Sequence, residues 1–597
     1  MNDAGSETGQ GFGGNGSSRQ TLALPLEFRD AVRDALADAE EADLVERLWA
    51  KDASLWKNEP AQKKIINNSL GWLTVPRQML AAAEELKTFA DTLRVSQQFR
   101  HVMVCGMGGS SLCPEVLRQT FGRQEDFPEL LVLDSTDPDA IDNFAKQIDV
   151  QHCLFIVASK SGTTTEPIVF HKFWYDRVVP TGANAGDSFI AVTDPGTQMV
   201  KAAQADHFRK IFLNQPDIGG RYSALSYFGM APAALMGLDV AELLKRAVAA
   251  SDLCGAESPI DENPAALLGA TMAECALSGC DKLTIVTDEK LASLGLWIEQ
   301  LIAESTGKEG KGIVPIAGEP LAAPAAYDDD RLFVSINVRG AGDNSKLKAL
   351  EEAGHPVVYR QLDDVYDLGA EFFIWEMATS FAGWRLGINP FDQPNVQESK
   401  DATKALLEKY KTETKLQEQT ASASDGQLTV YSGGEGGAPS SAESVQDVLR
   451  AHCATINPGD YVALLAYLEE TPATEAALQE IRASIWDGTR AATTMGYGPR
   501  FLHSTGQLHK GGPDSGVFIQ ITAPDKVDFP IPGEPYTFSI LKDAQALGDF
   551  QSLQSHARRA IRVDLGDDVL VGLQKLNEII RQAIGNDEAR ASRPSRP

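Results

Sequence analysis

A chain of 597 residues with a formal net charge of −29 is too long for one hydrophobic core, and its charge argues against nucleic acid and anionic membranes as partners. Its seven cysteines, an odd number lying mostly in apolar runs, predict buried, reduced thiols and a cytoplasmic location. A phosphorylated ligand would be repelled at long range by this acidity. Any cations that bind such a ligand must therefore be concentrated locally.

The first 95 residues are predicted to be a tail followed by helices. Residues 1–20 are rich in Gly, Ser and Asn, which predicts a disordered tail. Residues 21–95 show apolar residues at helical spacing, beginning with LPLEFRDAVRDALADAE. We interpret them as a helical preface to the domain that follows.

Residues 96–247 are predicted to form a first α/β domain. Short apolar runs alternate with helical segments, which is typical of a doubly wound parallel sheet with helices on both faces. The five runs are 102–105, 130–133, 154–158, 189–192 and 211–213.

The third of these strands leads directly into the loop SKSGTTTEP, residues 159–167. Hydroxyl groups and one cationic side chain stand where a helix N-terminus directs its free N–H groups, a combination that favours a bound phosphate. An alternative is a hydroxyl-rich helix cap with no ligand. The candidate ligands of the phosphate are Ser159, Lys160, Ser161, Thr163 and Thr164.

Two further glycine-rich turns belong to this domain. GMGGSS, residues 106–111, follows the first strand and weakly matches a dinucleotide fingerprint, with Asp134 ending the second strand. A nucleotide would leave the SKSGTTTE loop without a ligand, so a small phosphorylated molecule fits better. In IGGRYSALS, two glycines precede Arg221, whose planar guanidinium can bind an oxyanion; a surface Arg in a turn is the alternative.

Residues 248–411 predict a second α/β domain, with strands at 283–286, 313–316, 332–336 and 357–359. In its helix LGLWIEQLIAESTGK, Gln300 and Glu304 stand four apart and share one face. The carboxylate near the helix C-terminus is a candidate proton acceptor, the alternative being a solvated Glu paired with Lys308. In NPFDQPNVQESK, two prolines fix a turn that presents Gln393, and Lys400 follows about two helical turns later.

The rest of the chain is predicted to be a linker and an additional α/β segment. Residues 412–443 are polar and rich in Gly and Ser, which indicates a linker or exposed hairpin. Residues 444–597 begin as helix and contain FLHSTGQLHKGGPDSGVFIQIT, in which His503 and His509 stand before a strand. Metal binding by this pair is weakly indicated, because no third ligand accompanies it.

Together, GMGGSS, SKSGTTTEP, GGRYSALS, ESTGK and FDQPNVQESK resemble the glucose-6-phosphate isomerase family, whose fold is a pair of sugar-isomerase (SIS) domains. The tail motif STGQLHKGGP resembles the isomerase half of bifunctional transaldolase/phosphoglucose isomerases. The resemblance implies reversible interconversion of glucose 6-phosphate and fructose 6-phosphate through a cis-enediol, without a cofactor or metal. It also implies a homodimer.

The resemblance implies a role for each matching residue. Glu304 would carry the proton between carbons 2 and 1, and Arg221 would stabilise the enediolate. Lys400 would assist ring opening. The residues implied in substrate binding are the SKSGTT loop for the phosphate, Gly109 and Ser110 for the sugar, and Gln300 and Gln393 for its hydroxyls.

The ring-opening histidine departs from the family pattern. In the family it lies between the base and the final Lys and comes from the partner subunit, but here that interval holds only His355, without the family's flanking residues. LHKGGPDSGVFIQI in the tail resembles the family's pattern of His, Gly-Gly and strand. We therefore predict His509 as the ring-opening residue, with His503 second and His355 structural.

Two other functions stay open at the level of sequence. One is a dual phosphoglucose/phosphomannose isomerase, since the two aldose phosphates differ only at the carbon that loses the proton. The other is a non-catalytic regulator built from SIS domains, which would keep the phosphate loop but would not need Glu304, Arg221 and Lys400 together.

Overall fold

The computed structural model describes residues 19–182, 184–341, 344–417, 419–432 and 444–585. The predicted tail, except Arg19 and Gln20, lies outside these ranges, as do the last residues of the predicted linker. Three sheets organise the described chain, and parallel strands form most of each. The doubly wound α/β class predicted for the two central domains is confirmed.

The N-terminal region consists mainly of helices. Its elements are β1 (Arg19–Ala23), α1 (Leu26–Glu41), α2 (Leu44–Trp49), α3 (Pro60–Asn67) and α4 (Val75–Ser96). The strand was not predicted. Arg19–Ala23 pairs antiparallel with a strand more than 300 positions further along the chain, so its conformation depends on a partner that local sequence does not reveal.

The first domain contains the five strands predicted for it, in the spatial order β3-β2-β4-β5-β6 with every pair parallel. Its strands are β2 (His101–Cys105), β3 (Glu129–Leu133), β4 (Cys153–Ala158), β5 (Phe189–Thr193) and β6 (Lys210–Leu213). Its helices are α5 (Leu112–Phe121), α6 (Pro138–Gln147), α7 (Thr165–Val178), α8 (Gln198–Ala205) and α9 (Tyr227–Leu235).

The second domain has the spatial strand order β1-β10-β9-β7-β8, in which only β1 is antiparallel. Its strands are β7 (Lys282–Thr287), β8 (Val314–Ile316), β9 (Arg331–Val338) and β10 (Val357–Leu362). The predicted boundary between residues 247 and 248 falls inside α10 (Val240–Leu253), which connects the two domains. The helices of the second domain are α11 (Pro264–Leu277), α12 (Leu294–Thr306), α13 (Ser345–Glu352), α14 (Leu368–Leu386) and α15 (Pro394–Glu413).

The C-terminal unit forms a sheet of its own, in the order β11-β12-β16-β15-β13-β14. Its strands are β11 (Ala423–Ser424), β12 (Thr429–Tyr431), β13 (Tyr461–Tyr467), β14 (Ala492–Tyr497), β15 (Gly516–Thr522) and β16 (Arg559–Asp564). Its helices are α16 (Val445–Cys453), α17 (Pro472–Thr489), α18 (Gly506–Gly511), α19 (Phe538–Ser555) and α20 (Val569–Gly585). The sequence analysis identified β15, the strand that follows His509, but missed β13 and β14.

The C-terminal unit packs against both preceding sheets. Phe538 of α19 is fully buried, with ring centroids 6.3 Å from Phe170 and 5.2 Å from Phe173 of α7. On the other side, Tyr461 and Phe518 share a core cluster with α12 and β8. The turn Arg500–His503 and α18 are thereby held beside α12.

The cysteines follow the prediction, because all seven are buried and none forms a disulfide. Among the described residues, no helix is both long and apolar enough to cross a membrane.

Phe538→Ala should weaken the attachment of the C-terminal unit to the first sheet. Removal of a fully buried aromatic ring leaves a cavity, so we expect the free energy of unfolding to fall by about 3–5 kcal/mol. Urea denaturation followed by circular dichroism measures this change. Leu26→Ala, at a side chain 69% exposed, is the control and should stay within about 0.5 kcal/mol of the parent chain. Equal losses in the two variants would show that Phe538 does not anchor the unit.

Candidate active site

A cleft of about 730 Å³ lies where the loops after β2 and β4 meet α12, α15 and the C-terminal unit. Of the predicted site residues, all but Ser159 and His509 line it. Ligands of parallel α/β sheets characteristically bind at the carboxyl ends of the strands, where these loops stand. Residues distant in sequence thus share one cleft, so the cleft is the candidate active site.

The SKSGTT loop forms one wall of the cleft, immediately before α7. Thr164 is the N-cap of this helix but makes no side-chain capping bond, which leaves the amides of the first turn available to an anion. The hydroxyls of Ser161 and Thr163 are 2.8 Å apart. The Lys160 Nζ donates to Asp194 Oδ2 at 2.7 Å, which fixes the ammonium beside the loop.

Ser159 supports the loop from behind rather than lining the cleft. It is 1% exposed, and its Oγ donates to Thr164 Oγ1 at 3.2 Å. Gly162 has φ +64, and a Cβ there would lie 2.8 Å from the Cβ of Thr197. The glycine is therefore required by both backbone conformation and packing.

Glu304 is buried on the cleft side of α12, so it is not the solvated surface residue considered as the alternative. Its side chain is 10% exposed, and its Oε2 accepts a hydrogen bond from Gln300 Nε2 at 3.3 Å. The Gln300 amide also donates to the carbonyl of His503 at 2.6 Å. Glu304 does not use Lys308 as its ion-pair partner, because Lys308 bonds to Asp392 instead.

Arg221 is the buried cation that faces Glu304. Its Nη1 lies 3.3 Å from Glu304 Oε1 and donates to Gln393 Oε1 at 3.1 Å. Its Nε donates to Ser305 Oγ at 2.7 Å. Its Nη2 donates to the carbonyls of Pro390 at 2.6 Å and Asp392 at 3.0 Å. The alternative of a surface arginine is therefore wrong, because this side chain is 3% exposed and each of its three guanidinium nitrogens donates a hydrogen bond.

His503 stands opposite, with Nε2 3.2 Å from Oε1 of the buried Glu166. Gln545 Nε2 donates to the same oxygen at 2.6 Å, and Gln545 Oε1 accepts from Thr136 at 2.7 Å. Burial opposes ionisation of Glu166, yet the adjacent His503 holds the pKa of this carboxyl below its usual range. The sequence analysis missed Glu166 and Gln545; the position of Glu166 inside SKSGTTTEP was a usable signal, whereas Gln545 gave none.

His509 is not at the cleft, and the prediction that it serves there is corrected by the structure. Its ring is 2% exposed and lies 5.1 Å from Phe518 and 6.2 Å from Phe501, centroid to centroid. Burial, with Lys510 and Arg558 nearby, holds its pKa well below the usual value, so it stays neutral. His355 likewise packs against the rings of Phe333 and Tyr327.

Cations outnumber carboxylates along the cleft, although the chain as a whole carries a net charge of −29. Because the acidic chain repels a phosphorylated ligand at long range, a site for such a ligand needs cations close together. The lining cations are Lys160, Arg221, Lys400, Lys404 and Lys411, and the lining carboxylates are Glu166, Glu304, Asp401 and Glu408.

Comparison with known proteins gives concordant findings. The family model described as Phosphoglucose isomerase matches residues 70–315, which include Arg221 and all of α12 but not Gln393, Lys400 or His503. Glucose-6-phosphate isomerase of Parabacteroides distasonis is 27% identical over 395 residues, 58% of this chain and 88% of that protein. The enzyme of the same name from Geotalea daltonii is 28% identical over 431 residues, 64% of this chain and 78% of that protein.

A solved structure shows the same fold. The crystal structure of a glucose-6-phosphate isomerase from Chlamydia trachomatis superposes with a TM-score of 0.58 at 18% sequence identity. The match covers 67% of this chain and 90% of that one.

Gly109→Ala should destabilise the cleft, because a Cβ there would lie 2.1 Å from the carbonyl oxygen of Gly220. We expect a loss of about 1–3 kcal/mol in the free energy of unfolding, as overpacked sites typically show. Gly219→Ala is the matched control, since its Cβ would meet nothing closer than Tyr222 Cδ2 at 3.6 Å. Denaturant titration of both variants makes the comparison, and equal stability would contradict this close approach of backbones.

Proposed function

We propose that this chain is a member of the glucose-6-phosphate isomerase family and that the cleft is where it interconverts glucose 6-phosphate and fructose 6-phosphate. The observation that carries the proposal is the buried Arg221–Glu304 contact at 3.3 Å beside the loop before α7. A carboxylate, a fixed guanidinium and a helix N-terminus meet the three needs of the reaction. These are a base, a stabiliser of oxyanion charge and a phosphate site.

Substrate binding begins with the phosphate. The first-turn amides of α7, the hydroxyls of Ser161, Thr163 and Thr164 and the ammonium of Lys160 bind it, with Ser159 bracing the loop. The sugar then lies along Gly109 and Ser110, and the amides of Gln300 and Gln393 orient its hydroxyls.

Proton transfer follows on the open-chain sugar. Glu304 removes the proton from carbon 2 of the aldose; the C–H electron pair forms the carbon 1–carbon 2 double bond while the carbonyl π pair moves to O1, giving a cis-enediolate. The proton of the O2 hydroxyl passes to O1, and the same carboxyl then returns its proton to carbon 1 as the carbonyl forms at carbon 2, giving the ketose. A single base suffices because both carbons present their hydrogen to the same face of the planar intermediate.

Arg221 stabilises the enediolate. Its guanidinium is fixed by bonds to Ser305, Pro390 and Asp392, so it needs little reorganisation when negative charge develops on the substrate oxygen. Transfer of the proton to Glu304 also removes the carboxylate charge that Arg221 faces in the resting site. The cation then becomes available to the intermediate.

Ring opening requires a proton donor and acceptor near the ring oxygen and the carbon 1 hydroxyl. We assign this role to His503, oriented by Glu166, with Lys400 on the adjacent wall. His503 belongs to the C-terminal unit of the same chain. Each chain therefore brings its own histidine to its own cleft.

The finer parts of the resemblance are proposals as well. The tail motif STGQLHKGGP supports likeness to the isomerase half of the bifunctional transaldolase/phosphoglucose isomerases, and seven buried cysteines that form no disulfide support a cytoplasmic location. A homodimer rests on the resemblance alone. Light scattering of the purified chain measures its oligomeric state.

A coupled assay of fructose 6-phosphate conversion without added metal tests the function. Formation of glucose 6-phosphate alone is the expected result. Substantial mannose 6-phosphate would favour the dual isomerase instead. Tight binding without turnover would favour the non-catalytic regulator, which has no need of Glu304 and Arg221.

Glu304→Gln should lower kcat by about 10²- to 10⁴-fold, the usual contribution of a general base, while leaving fructose 6-phosphate affinity nearly unchanged. Steady-state rates and isothermal titration calorimetry measure the two quantities. Glu299→Gln is the control: it lies on the same helix, is buried and does not line the cleft. Wild-type turnover by Glu304→Gln would refute its role as the base.

His503→Ala should slow conversion of the ring-closed sugar at least about 100-fold, within the usual range for acid–base groups, with a much smaller effect on an open-chain analogue. His509→Ala should lower thermal stability and leave the ratio of the two rates unchanged, because its ring packs among aromatic side chains. If His509→Ala alone changed this ratio, the assignment would return to His509.

A further inference from the structure

Lys308 is a buried cation behind the cleft that the mechanism does not use. It follows the end of α12 by two residues, and its side chain is 2% exposed and does not line the cleft. Its Nζ donates to Oδ1 of Asp392 at 2.7 Å and to the Asp392 backbone carbonyl. Burying an ammonium is costly, so a specific arrangement must compensate for it.

That arrangement includes the cation of the mechanism. The Asp392 carbonyl accepts from both Lys308 and Arg221, so the two cations share one oxygen. Arg221 also holds the carbonyl of Pro390 and the side chain of Gln393. The segment from Pro390 to Gln393 is thus tied to the C-terminal end of α12 by two positive side chains.

We propose that Lys308 is a positioning residue, which fixes the 390–393 turn so that Arg221 and Gln393 meet the substrate in the correct geometry. This inference rests on the proposed function of the cleft. Lys308 acts only through Asp392, because it reaches no lining surface itself. Without its charge, the Asp392 carboxylate loses its ion-pair partner, and the turn that carries Gln393 loses one of the side chains that hold it.

The charged groups around Lys308 are the cation Arg221 and the anions Asp392 and Glu304. With Lys308 itself, two cations therefore lie beside two anions. The flanking charges point elsewhere, since Glu309 pairs with Lys57 and Lys311 donates to the carbonyl of Leu386. Burial and the neighbouring Arg221, partly offset by Asp392 and Glu304, lower the pKa of Lys308 to about 8. The ammonium is therefore largely retained at neutral pH and lost in mild alkali.

Activity and stability should respond to this titration in opposite directions. Deprotonation above pH 8 releases the turn, so kcat falls. Between pH 8 and 10.5 the Lys308 side chain binds more protons in the unfolded chain than in the folded chain. The contribution of Lys308 to the free energy of unfolding therefore increases as the pH rises through this range. An alkaline loss of activity that comes from Lys308 is consequently not a loss of fold.

The test compares Lys308→Met, Lys308→Arg and Lys311→Met in the isomerase assay from pH 6.5 to 10, with thermal unfolding measured in parallel. We expect Lys308→Met to lower kcat about 10- to 100-fold, with KM changed less than about 3-fold, because the phosphate loop is untouched. Lys308→Arg should recover most of kcat and shift the alkaline fall to higher pH, since arginine stays protonated. Lys311→Met, three residues along the same turn, should behave like the parent chain.

The proposal is overturned if Lys308→Met matches Lys311→Met in kcat and in pH profile, or if kcat falls only where the variant unfolds. If Lys308→Met does not fold, the proposal is also overturned when kcat of Lys308→Arg falls at the same alkaline pH as kcat of the parent chain. An inactive parent chain would reject the isomerase function instead, so the two failures are distinguishable.

Discussion

The geometry of the cleft depends on the hydrogen bonds made by the buried guanidinium of Arg221. The guanidinium bonds to the C-terminal turn of α12 through Ser305, to the segment before α15 through Pro390 and Asp392, and to Gln393 at the cleft itself. Arg221 comes from the first domain, and its partners come from the second. One planar group with several donors therefore sets the distance between two domains to within a hydrogen bond. Lysine, with a single nitrogen, could not reach these partners together.

Sequence reasoning succeeded where a local pattern corresponds to a local structure. Buried parallel strands appear as continuous apolar runs, and the parallel strands of the two central sheets were found in this way. The SKSGTT loop, Arg221 and Glu304 were selected as candidates because each stands in a short motif, and the structure brings all three to one cleft. β1 was missed because RQTLA takes its strand conformation from pairing with β10. β13 was missed because an apolar run such as YVALLAY fits a buried helix as well as a strand.

The choice between two histidines shows where such reasoning ends. His503 and His509 stand six residues apart in one glycine-rich stretch, and the motif around His509 is the closer match to the family. The chain turns between them, so that one ring meets Glu166 at the cleft and the other lies among Phe501 and Phe518. Which side of a turn faces a cavity depends on the packing of α18 against α12, and no local pattern records that packing.

The C-terminal sheet has a topological switch point of its own between β13 and β15, the usual crevice for a ligand. In this protein α6 of the first domain covers that crevice. Asn143 donates a hydrogen bond to Glu469, which follows β13. The carboxylate of Asp139 accepts hydrogen bonds from the backbone amides of Lys526 and Val527, which follow β15. The crevice between β13 and β15 is therefore part of an interface within the chain rather than an open surface for a small molecule. Elsewhere the same C-terminal unit brings His503 to Glu166, 337 positions earlier in the sequence. During synthesis, the SKSGTT loop and Glu304 leave the ribosome well before His503, so the cleft cannot be complete until the C-terminal unit has been made.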